Sequence, residues 1–109
     1  MKKKYIFIDD DLLMHMSWKM EAEKENVDLL CLHTIEEFLD IAKDYSLDTQ
    51  IYIDSNLADG IKGEVESEKI AELGFTELYL ATGYSPKDID RPKWIKCIVG
   101  KRASFSGEK

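Results

Sequence analysis

The sequence predicts an α/β domain built on a mostly parallel, doubly wound sheet. Short apolar runs recur five times along its 109 residues: Tyr5 to Ile8, Leu29 to Leu32, Gln50 to Asp54, Glu77 to Ala81 and Trp94 to Val99. Segments of helical period lie between most of them. Four of the five runs end in residues suited to phosphate or metal chemistry. Strands alternating with helices imply right-handed βαβ units, whose crossovers cover both faces of a parallel sheet. Open sheets of this kind place their chemistry at the carboxyl ends of the strands.

Bulk properties narrow the class. The length suits one domain over 1–109, and 44% apolar with 34% charged residues describes an ordinary globular chain. A net charge of −7 argues against nucleic-acid binding through a basic face. No apolar run approaches the length that spans a bilayer, so no membrane insertion is expected. The basic start, Met1-Lys2-Lys3-Lys4, leads into too few apolar residues for a signal peptide. A cytoplasmic protein is expected, with Cys31 and Cys97 as reduced thiols serving as small hydrophobes.

Taken in order, the first strand, Tyr5 to Ile8, runs into Asp9-Asp10-Asp11. Leu12, Leu13, Met16, Met20 and Val27 then recur at near-helical spacing, predicting a first helix from Asp11 to about Asn26. Asp11 is read as its N-cap, and Trp18 and the methionines as core or core edge. His15 and His33 have no Cys or second His at metal spacing and are expected to face solvent. After the second strand, Leu29 to Leu32, Thr34-Ile35-Glu36-Glu37 has the form of a capping box, and a second helix should reach about Tyr45.

The third strand, Gln50 to Asp54, is the centre of the chain. Its apolar residues lead straight into Asp54, Ser55 and Asn56. In the following loop Gly60 and Gly63 suit turns with positive φ. A third helix should span about Glu64 to Leu73 and stop at Gly74. The fourth strand, Glu77 to Ala81, ends in Thr82-Gly83. Ser85-Pro86 has helix-start chemistry but Pro92 stops it, so the fourth helix is a turn or two, with Tyr84 and Trp94 over it. The last strand, Trp94 to Val99, precedes Gly100-Lys101, and the eight residues after Lys101 are too few for a packing helix.

One sheet edge thus collects Asp9, Asp10, Asp54, Thr82 and Lys101. Three clustered carboxylates repel one another unless a cation sits among them, and oxygen ligands point to a hard ion such as Mg²⁺. With the ion bound, a carboxylate can attack phosphorus while metal and lysine take up equatorial charge.

These residues resemble the receiver domain of two-component response regulators, of the chemotaxis-regulator kind. The match runs from Ile6-Phe7-Ile8-Asp9-Asp10 through Ile53-Asp54 and Leu80-Ala81-Thr82-Gly83 to Val99-Gly100-Lys101. The resemblance implies a flavodoxin-like five-stranded sheet of order 2-1-3-4-5. It implies a phosphoacceptor module, not an enzyme, which takes a phosphoryl group from a histidine kinase or histidine phosphotransfer protein onto Asp54. Asp9, Asp10, Asp54 and the backbone carbonyl of Asn56 are then the Mg²⁺ site. Lys101 pairs with the phosphoryl group, and Thr82 is the switch hydroxyl.

The sequence also departs from the family. Arg102, not proline, follows Lys101, and Ile98 stands where an aromatic switch residue is usual. The fourth helix is curtailed and the C-terminal helix is missing, so Ile95, Cys97 and Val99 are expected to lie open and to be buried by a homodimer or by a partner domain of a parent protein. In the strand order implied, Cys31 and Cys97 sit at opposite sheet edges and do not pair.

Two alternatives follow. One is a degenerate receiver that acts as a docking or dimerisation module. The other is a phosphatase resembling the haloacid-dehalogenase type, with Asp9 as nucleophile, Asp11 as acid/base, and Thr82 and Lys101 as phosphate binders.

Overall fold

Three apolar strands rich in isoleucine and aromatic residues, buried on both faces, form the centre of the molecule, and two half-buried strands flank them. The computed structural model describes residues 4–55, 57, 60–83 and 91–101. Five strands, β1 (Lys4–Ile8), β2 (Asp28–Leu32), β3 (Gln50–Asp54), β4 (Leu78–Ala81) and β5 (Cys97–Val99), pair in parallel in the order β2-β1-β3-β4-β5. This is the order the resemblance implies. β5 is shorter than expected because Ile95 N–H bonds Pro92 C=O, which keeps 92–95 in a turn.

Helix α1 (Leu12–Glu25) is capped by Asp11, whose side chain accepts from Leu13 N–H, and it ends at Asn26 in the left-handed conformation. Helix α2 (Ile35–Ile41) carries the complete capping box: Thr34 accepts from Glu37 N–H, and Glu37 reaches back to the Thr34 N–H. A single 3₁₀ turn, Ala42–Asp44, continues it. The predicted third helix is broken into α3 (Gly63–Glu66) and α4 (Glu68–Ala71) at Ser67, whose hydroxyl bonds back to Glu64 C=O and accepts from the Trp94 indole. The helix ends at Ala71, short of the expected Leu73, and the turn after it closes at Gly74, at φ +106°, whose N–H bonds Ala71 C=O.

The two faces of the sheet hold different cores. Ile6, Ile8, Ile51, Ile53, Leu78 and Leu80 face Ile35, Phe38 and Ile70, with Trp94, Ile95 and Ile98 on the same side. Tyr5, Phe7, Tyr52, Tyr79 and Ala81 face Trp18 and Ala22 of α1, with Cys31, Cys97 and Val99 partly buried beside them. The predicted open face is therefore narrower than expected. Ile95 is fully buried on the opposite side, because strand alternation begins only at Cys97. The expectation that no last helix follows Lys101, the short helix expected after Ser85-Pro86 and the placement of Tyr84 concern residues outside the described ones.

Helix α1 turns a different face inward from the one predicted. His15, Trp18 and Ala22 are buried, while Leu12, Leu13, Met16 and Met20 are 63%, 73%, 60% and 66% exposed. The aromatic sheet face decides this: Trp18 stacks on Phe7 at 3.9 Å between ring centroids and 7° between planes. A planar indole stacks on a planar aromatic face, which branched or flexible Leu and Met side chains cannot match in geometry. Trp18 is core as expected, and of the other apolar residues expected there Met14 and Val27 border it. No described helix is long and apolar enough to cross a membrane.

Candidate functional site

Strand register alone brings the acids together. Ile8 pairs with Ile53 and Asp54 with Ala81, so Asp9 and Asp54 end neighbouring strands and Thr82 follows the next. Ala81 pairs with Val99, which places Lys101 two residues beyond the last rung.

Asp9 and Asp54 are both buried, and Asp10 is exposed. Ligand oxygens from these three residues lie within 4.8 Å of one another. Lys101 Nζ joins the two buried acids, 2.8 Å from Asp9 Oδ2 and 2.7 Å from Asp54 Oδ1. The other Asp9 oxygen accepts Asp11 N–H at 3.0 Å. Burial works to lower the Lys101 pKa, but the hydrogen bonds to Asp54 and Asp9 outweigh it and raise it above the ordinary lysine value. One ammonium against three carboxylates leaves an excess negative charge among the described residues. Buried charge of that kind is costly without a counter-ion, and an all-oxygen donor set suits a hard divalent cation. The residues present therefore fit Mg²⁺. Asn56, expected to lend its carbonyl, is outside the described residues.

Thr82 is buried, its N–H bonded to Val99 C=O at 3.0 Å and its hydroxyl 3.0 Å from that of Ser55. Gly63 lets α3 close against the end of β3: its N–H donates to Ser55 C=O, and a Cβ there would overlap the Asp54 carbonyl oxygen. Close approach, not positive φ, is what this position demands; among the two loop glycines only Gly60 has φ above zero, at +74°.

Sequence reasoning missed three supports of the site. His15, expected at the surface, is buried edge-on to Phe7, and its Nε2–H donates to the Asp9 carbonyl. The reason is the same turn of α1 that buries Trp18, three residues on. His33 is exposed as expected, its ring 4.7 Å from that of His15. Trp18 Nε1–H donates to Lys101 C=O at 2.8 Å. Ser55 was noted only as a polar residue, and its contact with Thr82 has no sequence signature. The signal available for the first two was the i, i+3, i+7 set His15, Trp18, Ala22, which runs beside the more apolar stripe. Cys31 and Cys97 are half-buried free thiols, and burial pushes Cys31 up to about 11.

Asp11 is spent as the α1 cap, which fits it poorly to the acid/base role of the phosphatase alternative. The fold that carries these residues has counterparts among solved structures. A CheY-like response regulator receiver domain protein from Methanospirillum hungatei JF-1 superposes with a TM-score of 0.74 at 20% identity, over 95% of this chain and 85% of that one. The chain has the receiver-domain fold. The N-terminal domain of a response regulator/sensory box/GGDEF three-domain protein from Carboxydothermus hydrogenoformans matches with a TM-score of 0.76 at 16% identity, over 94% of this chain and 84% of that one. No family model and no curated protein matches the sequence. The receiver likeness is thus one of architecture, carried by the sheet order.

Proposed function

We propose that the chain is a phosphoacceptor receiver module of a two-component phosphorelay, with Asp54 as the acceptor. The observation that carries this reading is the Lys101 bridge between Asp9 and Asp54, with Asp10 completing an oxygen cluster. The donor is a phosphohistidine on a histidine kinase or a histidine phosphotransfer protein. An Asp54 carboxylate oxygen attacks phosphorus, the P–N bond breaks, and the imidazole leaves with the bonding pair and takes up a proton. Asp9, Asp10, Asp54 and the Asn56 carbonyl would hold Mg²⁺, which when bound neutralises charge on the transferring group. Lys101 binds a phosphoryl oxygen, exchanging one carboxylate contact for it, and Thr82 donates its hydroxyl to another.

The exposed Leu12, Leu13 and Met16 follow directly on the acid cluster and supply an apolar contact surface for the donor protein. The net charge of −7 argues against nucleic-acid binding through a basic face, and the reading places the protein in the cytoplasm. Intact mass after incubation with acetyl phosphate and Mg²⁺ tests the proposal. One added phosphoryl group is expected, absent with EDTA and absent in Asp54→Asn. An unchanged mass in the native protein, or label retained by Asp54→Asn, overturns it.

A further inference from the structure

Lys101 lies beyond a strand of only three paired residues, so the aim of its side chain depends on what holds its backbone. The hold comes from α1. Trp18 is fully buried, stacked on Phe7 and tilted against Tyr52 with ring centroids 5.1 Å apart. Phe7 stands two residues before Asp9 on β1, and Tyr52 two residues before Asp54 on β3. One rigid ring is therefore indexed to both acid-bearing strands. An indole N–H is a donor only and needs a partner when buried. Here that partner is the Lys101 carbonyl, at 2.8 Å.

We propose that Trp18 is a positioning residue for the phosphoryl-transfer site: its ring takes its position from β1 and β3, and its N–H fixes the Lys101 backbone so that Nζ reaches Asp9 and Asp54. The inference rests on the phosphoacceptor reading above and adds to it a residue that touches no reacting atom. A lysine has four rotatable side-chain carbons, so a backbone shift of about an ångström is enough to lose the aligned geometry on which the rate depends. Trp18→Phe keeps an aromatic ring on Phe7 and removes the N–H.

The test is a two-by-two comparison of native protein, Trp18→Phe, Lys101→Ala and the double variant. Each is labelled with acetyl phosphate and Mg²⁺ and its melting temperature measured. In the native background Trp18→Phe should slow labelling about five- to tenfold, the scale of one net hydrogen bond. In the Lys101→Ala background it should slow it no further. Equal slowing in both backgrounds overturns the proposal, because Trp18 would then only support the fold. No slowing in either overturns it as well. If Trp18→Phe does not fold, benzothienylalanine at position 18 keeps the bicyclic shape without the N–H and gives the same comparison. If the native protein takes no label, the phosphoacceptor reading fails and a readout independent of transfer decides this one. The two Lys101 ε-protons should have separate NMR shifts in the native protein and merge in Trp18→Phe; unchanged splitting overturns the tether.

Discussion

Lys101 Nζ lies 2.7 Å from Asp54 Oδ1, although 47 residues separate them and no strand pairs β3 directly with β5. The lysine spans β4 to reach the acid, and in doing so it also meets Asp9 at 2.8 Å. It is the positive charge among described residues that sits between the two buried carboxylates. Lys101→Met keeps most of the bulk and removes that charge. Labelling by acetyl phosphate should fall about 10²- to 10³-fold, the cost typical of one lost charge-stabilising donor. Mg²⁺ binding, followed by titration, should persist because the three carboxylates remain. Labelling within twofold of native would remove Lys101 from the mechanism.

The raised Lys101 pKa links the same pair to pH. A cationic group whose folded pKa exceeds its unfolded value stabilises the fold fully below the unfolded value, about 10.4 for lysine. That contribution is lost as pH rises through the higher folded value. Tyr45 and Tyr79 are also pushed up, by burial, and so decline in the same alkaline window. Denaturant midpoints of native protein and Lys101→Met between pH 9 and 12 separate the two sources. The native protein should lose more stability over this range; parallel curves would show that the lysine contributes none of the dependence.

Gly63 is where α3 meets the end of β3. Gly63→Ala puts a methyl group into the Asp54 carbonyl, which is backbone and cannot swing aside. A loss of about 1–3 kcal/mol is expected, as for overpacking of a tight core. Displacing that carbonyl also moves the acceptor, so labelling should slow beyond what partial unfolding explains. Chemical denaturation together with the labelling rate checks both, and native stability in the variant would contradict the close approach.

The outward face of α1 distinguishes a protein donor from a small one. Leu13→Glu or Met16→Glu places charge on exposed apolar surface beside the acid cluster while leaving the core intact. Transfer from a phosphorylated histidine kinase should slow tenfold or more, a change of about 1.4 kcal/mol in the transition-state contact. Labelling by acetyl phosphate should not change. Equal rates from the kinase would remove this face from donor docking.

Much of the site was already legible in the chain. Short apolar runs ending in Asp9-Asp10, Asp54, Thr82 and Lys101 carry strand polarity and edge chemistry together, because a parallel sheet puts every such end on one side. The Thr34 capping box was legible for a similar reason: it is a local hydrogen-bond pattern written within four residues. Helix α1 shows the limit. Its apolar spacing selected Leu12, Leu13, Met16 and Met20, yet the fold buries His15 and Ala22 beside the expected Trp18.

Periodicity counts hydrophobic residues along one helix, whereas the buried face is chosen by the surface it meets. That surface is Phe7, Tyr52 and Tyr5, assembled from strands far apart in sequence, and a flat aromatic wall favours an indole over a Leu/Met stripe. The α/β architecture and the chemical groups at its carboxyl edge could therefore be read from the chain alone. The groups that hold them in place emerge with packing: His15 on the Asp9 carbonyl, Ser55 against Thr82, Gly63 under Asp54, and Trp18 on Lys101. Each of these is a contact between elements, and its geometry exists only once the strands are in register and the helix has been turned to fit them.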